Sequence, residues 1–279
     1  MRKTFLILCC LIALTVSIAN GQSDLINRGT SWMSRDDLER AIKDSNIVIT
    51  FHPDSPSAYY NRGVLLQVHG EMDKALADYN RAIGIKPRYA SAYVNRAGIY
   101  YAQGRLDAAL ADVNRALEID SRHASAYTNR GVVRSAKGDV EGALADHNKA
   151  IQLDPKLSTA YFNRGVLYLS KGDLNSALAD FTRAIEFAPS LTRAYVNRGS
   201  VLVAMGQLDK ALADYDRAIA LDPQLPDVYQ NRGMAYLLLG RDGEANRDFA
   251  KCLELDSSLK TSLEAAIKAA KLRMLARKK

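Results

Sequence analysis

The sequence predicts an all-α fold, a superhelical solenoid of seven 34-residue helical hairpins closed by a C-terminal capping helix. Two stretches of each copy carry apolar residues at helical spacing, and in six of the seven copies a glycine separates them. One hairpin cannot bury both of its apolar faces, so consecutive copies must stack. The third observation is the repeat itself, since the segment Ala58 to Gly63 returns every 34 residues, starting again at Ala92, Ala126, Ala160, Ala194 and Val228.

The first 21 residues predict a secretory signal peptide. Arg2 and Lys3 precede an apolar run, residues 5–16, and small or polar residues follow it. This is the order of a basic region, an apolar region and a cleavage site. Cleavage after Ala19 and after Gly21 fit equally well, and an uncleaved anchor is the alternative. We therefore expect an exported protein, periplasmic or secreted.

The repeat register divides the rest of the chain. Taking Pro56 as position 1 of the second copy, a diverged first copy begins at Gln22, and a basic segment, residues 260–279, follows the last copy. We expect helix A at positions 2 to 13 and helix B at positions 17 to 28 of each copy. The seven predicted copies are 22–55, 56–89, 90–123, 124–157, 158–191, 192–225 and 226–259.

Small residues recur where the two helices meet. Position 8 is glycine in every copy but the third, which has Ala97; position 20 is always alanine; and position 32 is proline in five copies. This pattern closely resembles the tetratricopeptide repeat (TPR) family. The resemblance implies a right-handed superhelix whose A helices line a concave surface, and a non-catalytic scaffold for protein–protein interaction.

Arginine at position 7 and aspartate at position 23 occur together in every copy. A lone charge beside the apolar positions of helix A would be very costly, so we predict that each arginine pairs with an aspartate, within a hairpin or across to the next. A row of arginines that binds anionic ligands is the alternative. The predicted pairs draw on Arg62, Asp78, Arg96, Asp112, Arg130, Asp146, Arg164, Asp180, Arg198, Asp214, Arg232 and Asp248.

Asparagine at position 6 is the candidate binding residue. At about 100° per residue, positions 2, 5, 6, 9, 12 and 13 point away from the hairpin core. Asparagine is a poor helix former, and its amide both donates and accepts, as a peptide main chain requires. The alternatives are that these amides bond to neighbouring helices or water, or that recent duplication explains them. The expected set is Asn61, Asn95, Asn129, Asn163, Asn197 and Asn231, with a mostly apolar lining from Tyr60, Val64, Val94, Val132, Phe162, Val166 and Val196.

This asparagine row is similar to the ladder in the repeat domain of O-GlcNAc transferase, which holds an extended peptide. The resemblance implies that the concave surface of this chain binds a protein or peptide segment by its main chain.

Two single residues are expected to be structural. Trp32, at position 11, is expected in the core, and Cys252, at the small position 27, is expected to be a buried thiol.

The net charge of +7 has a local origin. Seven lysines and arginines lie in residues 260–279 beside Glu264 alone, so the repeats themselves are close to neutral and nucleic acid is not an expected partner. The apolar side chains of this segment share one helical face, and Thr261 with Glu264 has capping-box spacing. We expect a helix that caps the last hairpin; contact of this tail with a membrane surface or an anionic partner is the alternative.

No catalytic, cofactor or metal site is expected. The sequence has no dinucleotide or P-loop motif and no nucleophile elbow, and its four histidines lack metal-ligand spacing. The expected function is an exported, non-catalytic scaffold that binds an extended peptide. The alternatives are a structural or oligomerisation array that uses its edges, and an envelope tether that uses the basic tail.

Overall fold

The computed structural model describes residues 34–277, with side chains as far as Leu272. The predicted signal peptide, the position 6 to 8 residues of the first copy and Trp32 lie outside the described residues. The chain divides into two compact units whose described parts are residues 34–163 and residues 164–277.

All regular structure between residues 34 and 277 is helical, which confirms the predicted fold class. Helix α1 is helix B of the first copy, and each later copy supplies one A helix and one B helix. The helices are α1 Arg35–Phe51, α2 Pro56–His69, α3 Met72–Ile85, α4 Ala90–Ala102, α5 Leu106–Ile119, α6 Ala124–Ala136, α7 Val140–Leu153, α8 Ser158–Ser170, α9 Leu174–Phe187, α10 Thr192–Ala204, α11 Leu208–Leu221, α12 Pro226–Leu238, α13 Asp242–Leu255 and α14 Lys260–Arg277, with a 3-10 turn at Ser257–Leu259.

A glycine in the left-handed conformation ends each of the six A helices that the structure describes. Gly104, for example, has φ 73°, which costs glycine little because it has no Cβ. Its N–H donates to the Tyr101 carbonyl at 2.9 Å, and the Arg105 N–H donates to the Tyr100 carbonyl at 2.8 Å. These two bonds form a Schellman motif, which satisfies carbonyls that the helix leaves free and turns the chain into helix B.

Position 8 of helix A packs directly against position 24 of helix B. A Cβ built on Gly199 would lie 2.6 Å from Cε1 of Tyr215, whose ring is buried. In the third copy position 8 is Ala97, and position 24 is the smaller Val113. The two positions are therefore matched in volume, and glycine is required where an aromatic ring stands opposite.

Consecutive copies pack through position 5. Val94 shares an apolar cluster with Leu117 of its own helix B and Ala126 of the next helix A. In the other unit Val196 occupies the equivalent place with Ala218 and Val228. Position 5 therefore belongs to the core between copies, because it lies where three helices meet.

Helix α14 covers the end of the last hairpin. Its Leu263 is 1% exposed and packs with Phe249 and Cys252 of α13, while Ile267 and Ala270 extend the contact. The prediction of a capping-box start at Thr261 was wrong. The helix begins at Lys260, because Asp256 accepts the Ser258 N–H at 2.9 Å and starts a short 3-10 turn before it.

Candidate functional site

The arginine at position 7 is held by an aspartate of its own hairpin. Nε of Arg62 donates to Oδ2 of Asp78 at 2.7 Å, and Nη2 donates to Oδ1 at 2.6 Å. This two-point bond raises the pKa of the Arg62 guanidinium. The sequence left open whether the pair forms within a hairpin or between hairpins, and all six described pairs lie within one. The other five are Arg96–Asp112, Arg130–Asp146, Arg164–Asp180, Arg198–Asp214 and Arg232–Asp248.

The remaining nitrogen of the arginine reaches back to the preceding copy. Nη1 of Arg96 donates to Oδ1 of Asn80 at 2.6 Å, and Nη1 of Arg232 donates to Oδ1 of Asp216 at 2.6 Å. The aromatic ring at position 4 also lies near the guanidinium, as Tyr93 does 5.3 Å below Arg96. With these neighbours the arginine row is neutralised, so it offers little to an anionic ligand.

Arg134 replaces an apolar residue at position 11 and still has partners. Its Nη1 donates to Oδ2 of Asp146 at 2.8 Å, so this carboxylate pairs with Arg130 and Arg134 together. The fourth copy thus contains a cluster of two arginines and one aspartate, which the period alone did not indicate.

The six position-6 asparagines do not share one environment. Asn61 is exposed, Asn95, Asn129, Asn163 and Asn231 are partly buried, and Asn197 is only 5% exposed. Position 6 was predicted to point away from the hairpin core, but this does not leave it open to solvent in every copy, because the Asn197 side chain is enclosed.

Neighbouring helices use two of these amides. Nδ2 of Asn95 donates to the Tyr60 hydroxyl at 3.2 Å and to the Tyr79 hydroxyl at 3.4 Å, and Tyr79 donates in turn to Oε1 of Gln67 at 2.8 Å. Nδ2 of Asn129 lies 3.5 Å from the Val94 carbonyl, at the limit of a hydrogen bond. Burial raises the pKa of Tyr79 well above its usual range, so its hydroxyl stays protonated as a donor.

Two other amides are buried and have no hydrogen-bond partner. Nδ2 of Asn197 and Nδ2 of Asn231 are buried without a hydrogen-bond partner. A buried donor without a partner costs about 1–3 kcal/mol, so such groups are uncommon in a folded protein. These two asparagines stand at the same position of consecutive A helices, α10 and α12.

The predicted apolar lining is only partly exposed. Val94, Phe162 and Val196 are 5%, 6% and 3% exposed, so the prediction of an open apolar lining was wrong at these three residues. All three occupy position 5, which for Val94 and Val196 is the core between copies described above. The lining residues that keep some exposure are Tyr60, Val64, Val132 and Val166.

A charged pair at position 2 was missed. Nη1 of Arg193 donates to Oδ2 of Asp227, joining α10 to α12, and Oδ1 of Asp227 is buried without a partner. The sequence contained the signal, because opposite charges stand at equivalent positions of consecutive copies.

Other chemistry is limited within the described residues. Between residues 34 and 277 no three His, Cys, Asp or Glu side chains cluster as metal ligands would. Burial raises the pKa of the Cys252 thiol to about 11, with the Asp227 and Asp256 carboxylates adding to the shift. None of the described helices combines the length and the apolar character needed to span a membrane.

Solved structures provide fold relatives. YrrB, described as a TPR protein with an unusual peptide-binding site, is 26% identical with a TM-score of 0.53 over 67% of this chain and 97% of its own. A thermophilic TPR protein of Thermus thermophilus is also 26% identical, with a TM-score of 0.53 over 66% of this chain and 100% of its own. The APC/C hetero-tetramer Cut9–Hcn1 is 15% identical and shows the fold alone, with a TM-score of 0.74 over 92% of this chain and 48% of its own.

Sequence models of one family match most of the repeats. No curated protein gives a significant match to the chain. Stacks of such hairpins generally serve as non-catalytic scaffolds with extended surfaces for protein or peptide partners. The "TPR repeat" model matches residues 97–138, 133–172 and 199–240, and "Tetratricopeptide repeat" models match 56–89, 158–191 and 226–259. The chain therefore belongs to the tetratricopeptide repeat family.

Proposed function

We propose that this TPR scaffold is exported and binds an extended peptide segment of a protein partner. The binding surface is the A-helix face, which we define as positions 2, 6, 9, 12 and 13 of the A helices. Position-6 asparagines bond to the main chain of the partner, and the half-buried apolar residues around them contact its side chains.

The unbonded amides on this face carry the proposal. A buried donor without a partner destabilises the free protein, and a partner carbonyl that reaches it removes that cost. The charges nearby are already paired, so the face attracts neither a highly anionic nor a highly cationic ligand. The 26% identity to YrrB, whose description includes a peptide-binding site, supports the same kind of ligand.

A peptide array tests the binding function. A variant with Asn129→Ala, Asn163→Ala and Asn197→Ala should lose most of the signal that the parent gives on an array of random peptides. The matched control carries Asn175→Ala and Asn246→Ala, two exposed asparagines of B helices. Equal binding by the parent and the triple variant, both folded by circular dichroism, would reject the asparagine row as the site.

Export has its own test. Residues 1–40 fused to alkaline phosphatase should give activity, since that enzyme forms its disulfides only outside a reducing cytoplasm. Leu11→Arg places a charge in the apolar run and should abolish the activity. A fusion that is inactive, or equally active with Leu11→Arg, would contradict export by this segment.

The packing of α14 favours a cap over a tether. Leu263 and Ala270 are buried on the last hairpin, while Lys268 and Lys271 are exposed at the surface. These two lysines therefore lie on the outer side of a helix whose inner side is already occupied.

A further inference from the structure

We propose that the peptide-binding part of the A-helix face is confined to α10 and α12, where Asn197, Asp227 and Asn231 recognise the main chain of an uncharged, extended segment. This inference rests on the proposed function and makes it more specific. It assigns the binding role to two of the six asparagines and adds Asp227, which no motif indicated.

Hydrogen-bond capacity distinguishes this place from the rest of the row. Three buried polar atoms are unbonded here: Nδ2 of Asn197, Nδ2 of Asn231 and Oδ1 of Asp227. In the other unit, Asn95 donates to two tyrosine hydroxyls and Asn129 donates to a carbonyl. A peptide carbonyl would have to displace those bonds, whereas at α10 and α12 it displaces none. Asn61 and Asn163 also have no hydrogen bond, but their amides are not buried, so a ligand carbonyl there replaces water and satisfies no buried donor.

The side chains can turn toward a ligand. Asp227 has 23% of its side chain exposed, and Asn231 is also partly exposed. Rotation about the last side-chain bond is soft in both residue types, so it brings Nδ2 of Asn231 to the surface without repacking the helix. Asn197 is 5% exposed, so its amide meets a ligand only when neighbouring side chains of this face move aside. Oδ1 of Asp227 turns together with the oxygen that Arg193 bonds, so it moves only as far as that bond permits. Arg193 holds the other oxygen of Asp227 and keeps the carboxylate on this face.

The donors and the acceptor together match a main chain. Two amide N–H groups suit two carbonyls, and Oδ1 of Asp227 suits one backbone N–H. Packed helices lie about 8–10 Å apart, and a polyproline II segment rises about 3.1 Å per residue with three residues per turn. Carbonyls three residues apart, about 9 Å, therefore face the same side and meet Asn197 and Asn231 in turn.

Charge and shape restrict the ligand further. Arg193 and Asp227 neutralise each other, and Val203 and Met234 provide half-buried apolar contacts on the same face. A charged side chain of the ligand would lose hydration here without gaining an opposite charge. The ligand class is thus an uncharged segment in polyproline II conformation, with a residue other than proline where its N–H meets Asp227.

The probe is a phage-displayed library of random twelve-residue peptides selected on the full chain. Selected peptides are synthesised, and their affinities are measured by calorimetry for the parent and four variants. Asn197→Ala and Asn231→Ala should each weaken binding about tenfold, while Asn95→Ala and Asn129→Ala should stay within about twofold. Methylating successive main-chain nitrogens of the peptide should reveal one position that weakens binding about tenfold.

The outcomes separate the two levels of the proposal. Equal losses in all four variants would overturn the confinement to α10 and α12 but keep the asparagine row as the site. Losses only in Asn95→Ala and Asn129→Ala would also overturn the confinement to α10 and α12 and keep the asparagine row as the site. A library that yields no binder, or affinities unchanged in every variant with folding intact, would overturn both this inference and the proposed function.

Discussion

Replacing Gly199 by alanine should destabilise the chain because the new methyl group meets a buried ring. Its Cβ would lie 2.6 Å from Cε1 and 2.9 Å from Cζ of Tyr215, and this ring is 1% exposed, so it has little space to move. Overpacking of this kind costs about 1–3 kcal/mol. Alanine recovers about 0.5–1 kcal/mol relative to glycine in a helix, so the expected net loss is about 1–2 kcal/mol.

The third copy supplies the compensating change. Ala97 is accommodated there opposite Val113, so Tyr215→Val should relieve the clash in a double variant. Tyr215→Val alone leaves a cavity and loses the contact of its hydroxyl with Ser200, and the methyl group that Gly199→Ala introduces would fill part of that cavity. The double variant should therefore be more stable than the sum of the single changes predicts, by about 1–2 kcal/mol.

Urea unfolding followed by circular dichroism at 222 nm measures both quantities. Gly98→Ala is the matched control, because nothing lies within 4 Å of its built Cβ and the change should stabilise by about 0.5–1 kcal/mol. If Gly199→Ala is as stable as Gly98→Ala, or if the two changes in the double variant are additive, the volume matching between positions 8 and 24 is incorrect.

Three further changes probe other parts of the structure. Asp146→Ala should cost about 3 kcal/mol because it leaves two arginines without their shared carboxylate, whereas Asp107→Ala, at an exposed pair, should be nearly neutral in thermal melts. Burial raises the pKa of the Cys252 thiol from 9.0 to about 11, so the unfolded state loses this proton at a lower pH than the folded state does. The free energy of unfolding should therefore fall by of order 2 kcal/mol from pH 9 to pH 11, relative to Cys252→Ala. Parallel pH curves for the parent and Cys252→Ala would refute the raised pKa. Deleting residues 260–279 should uncover the contact made by Leu263, lower the melting temperature and raise binding of an apolar dye; a truncated chain as stable as the parent would argue against a cap.

The 34-residue period predicts the helices because the same apolar spacing recurs in each copy. Residues 57–68 and 72–83 were predicted as helices, and α2 and α3 span Pro56–His69 and Met72–Ile85. Apolar spacing marks the middle of a helix well. The final turn of α3 continues past the predicted end, because the Lys86 N–H still bonds to the Ala82 carbonyl.

The candidate site was harder to predict because it depends on contacts between copies. A helical wheel places a residue relative to one partner helix, but position 5 meets a third helix, so Val94 and Val196 are buried where they were expected to be exposed. The amide of Asn95 is bonded because tyrosines occupy positions 5 and 24 of the second copy, a combination absent from the fourth. Differences among copies, more than the shared motif, therefore decide which position-6 amides are already bonded within the protein.

The position-7 arginines of the second, third, fourth, sixth and seventh copies each contact two hairpins at once, and this has a consequence for the length of the chain. In these five the acceptor from the preceding copy is at position 25, so these copies present compatible ends to one another, at distances from 2.6 Å at Asp216 to 3.4 Å at Thr182. If 34 consecutive residues were removed or duplicated, the position-7 arginine of one copy would meet the position-25 acceptor of a different copy, and the interface between the two hairpins would still form. A shorter or longer array of this kind should thus remain foldable, with the seam at Thr182 its weakest joint.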